Sequence, residues 1–166
     1  MSLIRGTSLT GFAELVRSLD REPEPLLRRQ RIPRTAVGDF DSFVDYVALL
    51  RLLEDAARVT ATADFGRRLA DRQGIEILGV VGAAARTAPT VRGAVAIISR
   101  YLSAYSPAIE TRLDSEDERP GITTFEFRIL ADRLPPHAQG VELALGVALR
   151  VFRLLLGSAW SPLGVR

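Results

Sequence analysis

The chain has 166 residues, 47% hydrophobic and 25% charged, with a net charge of +2. That balance belongs to one folded domain, not to a disordered or fibrous chain, and is too even to imply the basic face that nucleic-acid binding needs. It contains no cysteine, which excludes disulfides, thiolate metal sites and a cysteine nucleophile, and no lysine, which excludes a Gly-Lys-Ser/Thr phosphate loop.

Apolar residues Leu9, Phe12, Leu15, Val16 and Leu19 recur at helical spacing, so a first helix is expected from Leu9 to about Asp20, capped by Thr7 or Ser8. Pro23 and Pro25 fit the first turn of a short second helix through Leu26 and Leu27, which Arg31-Ile32-Pro33 should break. Asp41 is the expected cap of a long, largely buried helix from Ser42 to Arg58. A shorter helix follows around Asp64 to Arg72 and ends at Gln73-Gly74. The Ala- and Gly-rich stretch Gly79 to Arg86 reads as a tightly packed helix or turn.

Pro89-Thr90 opens the clearest amphipathic pattern, with Val91, Ala94, Val95, Ile98, Tyr101, Leu102 and Tyr105 on one face. Pro107 stops it, and the period falls to two. Ile109, Thr111 and Leu113 alternate with Glu110, Arg112 and Asp114, and Phe125, Phe127 and Ile129 with Thr124, Glu126 and Arg128. These are two half-buried strands of a hairpin turned through Ser115 to Gly121.

The last helix, His137 to Leu156, is apolar except for a stripe of Glu142, Gly146, Arg150 and Arg153, and so must be enclosed or lie at an interface. After Gly157 as a cap, Trp160 to Val165 reads as the start of another strand. The fold class expected is α+β: a mostly helical single domain with a small antiparallel β-hairpin or sheet. Neither a signal peptide nor a run of ~20 apolar residues is present, and a cytoplasmic location is the expectation.

No catalytic or metal-binding constellation is legible. His137 is the single histidine and reads as a helix-start residue, not as a ligand of a metal or haem. The carboxylate pairs Asp39 and Asp41, Glu54 and Asp55, and Glu116 and Glu118 read as caps and solvated turns. Arg28, Arg29, Arg31 and Arg34 form the densest basic cluster and read as a solvated helix end, since no aromatic residues interleave for base stacking. No enzyme and no cofactor is therefore expected.

Four stretches, in order, carry a resemblance. They are Pro23-Glu24-Pro25-Leu26-Leu27 with Arg31-Ile32-Pro33; Leu49 to Ala57 leading to Asp64-Phe65-Gly66-Arg67-Arg68-Leu69-Ala70; Gly79, then Ala88-Pro89-Thr90-Val91-Arg92-Gly93-Ala94 and Arg100-Tyr101-Leu102 to Ser106-Pro107; and Glu142 to Leu145 through Arg153-Leu154-Leu155 to Trp160-Ser161-Pro162. Together they resemble the N-terminal, "arabinose-binding" type domain of AraC-family bacterial transcription regulators, although Gly93 stands where that family commonly has a charged helix former. The resemblance implies that residues 1–166 form a domain that senses a small-molecule effector, mediates dimerisation, or both. It also implies a homodimer, and DNA contact only through a C-terminal helix-turn-helix half that this chain lacks, so that the chain reads as a truncated piece. A constitutive dimerisation or protein-interaction domain without a ligand is the alternative.

For an effector pocket the residues expected are Arg100, Tyr101, Tyr105, Phe125, Phe127 and Trp160, because helix and hairpin can converge there and the phenols or Arg100 can orient a polar group. Core packing is the other role open to the same rings.

Overall fold

A computed structural model describes residues 2–114 and 121–165. Among these are seven α-helices and two antiparallel two-stranded sheets, an α+β domain in which helices predominate. Strand β1 (Leu3–Arg5) is followed by α1 (Phe12–Ser18) and α2 (Pro23–Arg29); β2 (Phe43–Asp45) runs directly into α3 (Tyr46–Val59). Then come α4 (Phe65–Ala70), α5 (Val80–Arg86), α6 (Val91–Tyr101), the hairpin of β3 (Ile109–Asp114) and β4 (Thr124–Ile129), and α7 (Ala138–Leu156).

The first helix is shorter than its apolar spacing predicts. Gly6–Leu9 forms a 3-10 turn, and α1 starts only after Gly11, whose φ of 80° sets the direction of entry. Thr7 and Ser8 cap nothing. Their hydroxyls donate instead to the carbonyls of Ile77 and Arg5, at 2.7 and 2.8 Å.

The start of α3 is the second correction. Residues 43–45 pair with β1, Leu3 opposite Asp45 and Arg5 opposite Phe43, so the helix begins at Tyr46 and Phe43 lies exposed on a strand. Asp45, not Asp41, is the cap, its Oδ1 accepting from the Ala48 N–H at 2.8 Å. Asp45→Ala is expected to lower stability by about 1 kcal/mol and Asp45→Asn by much less, as measured by urea unfolding.

Arg5 secures this small sheet. Its Nε donates to the Ala104 carbonyl at 2.9 Å and its Nη1 to the Phe40 carbonyl at 2.5 Å, while the guanidinium lies 4.3 and 4.6 Å from the ring centres of Phe40 and Phe43.

Leu49, Leu50, Leu52, Leu53 and Ala56 of α3 are buried in the centre of the molecule, with Phe12 of α1 and Phe65 of α4 meeting edge to face at 5.9 Å. Helix α7 crosses α3 and α4 at very close range because glycines stand at the crossing. A Cβ on Gly66 would lie 2.0 Å from the Gln139 carbonyl oxygen, one on Gly146 2.5 Å from the Ala70 Cβ, and one on Gly140 2.3 Å from a Leu50 methyl. Gln139, buried at the start of α7, ties three segments together. Its Oε1 accepts from Gly66 N–H, its Nε2 donates to the Ala63 carbonyl and its own N–H donates to Glu54 Oε1, each at 2.8 Å.

The hairpin has the expected alternation, and its register sets Thr111 opposite Phe127 and Leu113 opposite Phe125. Its turn, Ser115 to Pro120, lies outside the described residues. On the outer face Glu110 stands opposite Arg128 and Arg112 opposite Glu126, and ion pairs also run along the strands, Arg112 to Asp114 at 2.6 Å and Arg128 to Glu126 at 2.9 Å.

The last helix agrees with its expected span, with His137 at the N-cap and Gly157 at the C-cap with a φ of 104°. Beyond it Trp160 to Val165 is not a strand. Those residues pair with neither sheet, and Leu163 is 91% exposed, so no ladder supports extended pairing. No helix among the described residues is long and apolar enough to cross a membrane.

Candidate functional site

Between α3, α6, the hairpin and α7 the packing leaves an apolar cavity of about 120 Å³. The alternation of the hairpin turns Ile109, Thr111, Phe125 and Phe127 toward it, and α6 contributes Val95 and Ile98. A hydrogen bond of 2.9 Å between the hydroxyls of Ser99 and Thr111 joins α6 to β3 at this wall. The opposite wall is α7, where Gly140, Ala144 and Ala148 recur every fourth residue and so occupy one face. Leucines in that row would fill the space; the small side chains leave it open.

The floor is the polar end. Tyr46, the first residue of α3, Tyr105, Ser8 and Gln73 all line it. Burial pushes the Tyr105 phenol well above the ordinary tyrosine range, opposed by hydrogen bonding to Thr7 and Ser8 and reinforced by Tyr46. Burial alone raises Tyr46. Both rings therefore stay neutral through the physiological range. No charged side chain lines the cavity among the described residues.

Of the six residues expected at a pocket, Tyr105, Phe125 and Phe127 line this cavity. Arg100 and Tyr101 lie outside it: both are exposed, Tyr101 by 50%, and the Arg100 guanidinium lies 5.6 Å from the Tyr101 ring centre. The expected packing face of α6 continues through the buried Leu102 and Tyr105, and Tyr101 stands at its exposed margin, where the α-helix gives way to a 3-10 turn at Leu102–Ala104. Trp160 reaches the cavity only through an intermediary. Phe152 of α7 lines it, meets Phe125 edge to face at 5.3 Å, and carries Trp160 on its other side at 5.3 Å with the planes inclined by 33°.

Sequence reasoning missed two parts of the site. Gln73 was read only as a helix terminator, whereas its side chain is 1% exposed in the cavity wall. The small-residue row on α7 had a signal, Gly140, Ala144 and Ala148 at intervals of four in a helix otherwise rich in Leu and Val.

Several of the other groups singled out in the sequence have structural partners. His137 Nδ1 lies 2.7 Å from the Pro135 carbonyl. Asp39 accepts from Ser42 and from the Asp41 N–H, and Asp55 is held by Arg29, Arg58 and Gln30. Within the basic cluster Arg34 pairs with Glu24 at 3.5 Å. The pair Glu116 and Glu118 lies outside the described residues.

Fold and site together define a mainly helical α+β domain folded around an apolar chamber. Residues 21–166 match the family model described as the arabinose-binding domain of AraC transcription regulator, N-terminal, and the chain belongs to that family. It is 39% identical over 156 residues to the HTH-type transcriptional regulator VirS of Mycobacterium tuberculosis, in the CDC 1551 / Oshkosh and ATCC 25618 / H37Rv strains alike. The match covers 94% of this chain and 46% of VirS, so the chain spans about half the length of the curated relatives it matches.

Proposed function

We propose that this domain is the effector-sensing part of an AraC-type regulator and that the cavity between α6, the hairpin and α7 is its ligand site. The observation that carries the reading is an apolar chamber of about 120 Å³ left open by the Gly140, Ala144 and Ala148 row in the middle of a regulator domain. Well-packed interiors contain few voids larger than a water molecule, and an apolar void of nearly this size takes a benzene-sized guest. The wall does not suit a sugar, which needs several polar partners around its ring.

Regulation follows from linkage: a ligand that fits one arrangement of α7 and the hairpin better than another shifts the population toward it. The contact chain Phe125, Phe152 and Trp160 connects the cavity wall to the segment after α7, which Arg153 Nε also holds through the Trp160 carbonyl at 3.0 Å. DNA contact belongs, on this reading, to a helix-turn-helix half outside this chain.

The test is a thermal-unfolding series with toluene as the probe. At about 100 times its Kd a ligand stabilises by ~2.7 kcal/mol, a rise in Tm of roughly 5–10 °C for a chain of this size. Ala148→Phe, which places a ring in the chamber, is expected to fold and to abolish the rise. No stabilisation by toluene or by any small aromatic probe overturns the assignment.

Homodimerisation is a second, compatible reading, favoured by the outer surface of α7, where Leu154 and Leu156 are exposed. Light scattering across a range of protein concentrations decides it, a monomer throughout being the adverse result.

A further inference from the structure

We infer that the effector is a neutral molecule with one hydrogen-bond donor, a hydroxyl or N–H on an apolar frame of about benzene size, and that Gln73 Oε1 receives that donor. The inference rests on the cavity being a ligand site and adds the chemistry of what it selects.

The orientation of the Gln73 amide is fixed by its surroundings. Its nitrogen faces two carbonyl oxygens, those of Ser8 at 2.9 Å and Thr10 at 3.0 Å. Carbonyls only accept, so the amide cannot be flipped without losing both bonds and setting oxygen against oxygen. The Gln73 backbone is held as well, its carbonyl accepting from Arg150 Nε of α7. Oε1 is thereby left buried with no hydrogen-bond partner, on a residue that lines the cavity.

A buried acceptor without a partner costs about 1–3 kcal/mol, and native proteins keep few of them. Gln73 stands at the polar end of an otherwise apolar chamber, and a donor that reaches Oε1 recovers this cost. An apolar guest leaves Oε1 as it was. A carboxylate brings negative charge against that oxygen, with no cationic side chain among the described residues of the wall to balance it. The site thus separates alcohols, phenols and N–H heterocycles from both hydrocarbons and acids.

Calorimetric titration of the chain with phenol, toluene and benzoate tests this. The three share one ring, and differ in carrying a donor, a methyl group or a charge. A chamber that is apolar throughout prefers toluene, because burying an unpartnered hydroxyl costs ~1–3 kcal/mol. With Oε1 as receiver, phenol is expected to bind at least tenfold more tightly than toluene, and benzoate more weakly than either. Gln73→Met, close in length but without the acceptor, is expected to remove the advantage of phenol while changing toluene affinity only a few-fold.

If that variant does not fold, the Gln73 side-chain amide resonances in the unsubstituted protein serve instead, shifting with phenol and not with toluene. Toluene binding as tightly as phenol, or benzoate binding most tightly, overturns the inference and leaves the cavity a ligand site. Absence of binding by all three overturns both readings.

Discussion

Gly66→Ala is expected to lower the stability of the domain by about 3 kcal/mol, a fall in Tm of roughly 6–12 °C in calorimetry. The added Cβ would sit 2.0 Å from the Gln139 carbonyl oxygen, and the nearest atoms are all backbone of α7. No rotamer change relieves such a contact; the helices themselves must separate. Separation also stretches the bond from Gly66 N–H to Gln139 Oε1 and, through Gln139, those to Ala63 and Glu54. Gly140→Ala provides the internal comparison. Its Cβ meets the end of the flexible Leu50 side chain, so its cost is expected to be smaller. Equal losses from both variants would mean that the crossing is not set by the Gly66 contact.

This crossing also shows what the sequence could and could not convey. The apolar spacing in α6 and α7, the alternation in the hairpin and the glycines at Gly74 and Gly157 are local signals, and the elements they predict are present. The strand at Phe43–Asp45 was hidden because three residues carry no period. Only pairing with Leu3–Arg5, some forty positions earlier, separates them from the helix that follows. Trp160 to Val165 erred in the opposite direction, a strand-like composition without a partner strand.

At the candidate site the aromatic hairpin residues were legible from alternation, since Phe125 and Phe127 must share a face. Spacing alone carries Tyr101 inward with Leu102 and Tyr105, but only the latter two are buried, because Tyr101 lies at the margin of the face, where a small difference in helical phase decides burial. Gln73 could not be found at all from spacing. Its importance arises from the Ser8 and Thr10 carbonyls, more than sixty residues away, which orient the amide.

Alkaline pH is expected to unfold this domain over an unusually well-defined window. Tyr46 and Tyr105 are buried, and their phenols are shifted upward from the ordinary tyrosine value of about 10, in both cases chiefly through burial. A group whose pKa is raised on folding contributes stability that is fully present below its unfolded value and is lost as pH climbs toward the folded one. Below pH 10 the two phenols are neutral in both states. Above it the unfolded chain releases two protons that the folded chain retains, and stability falls by about 1.4 kcal/mol per pH unit for each tyrosine. Over two pH units that amounts to ~5 kcal/mol, the whole stability of a marginal domain. The chain has no lysine or cysteine to titrate over the same range, and its cationic side chains are arginines. Urea midpoints measured from pH 8 to 12 should be flat below about pH 10 and then steep. Tyr46→Phe and Tyr105→Phe should each reduce the slope by one proton, and the double variant should nearly abolish it. An unchanged slope in the double variant would place the alkaline transition elsewhere.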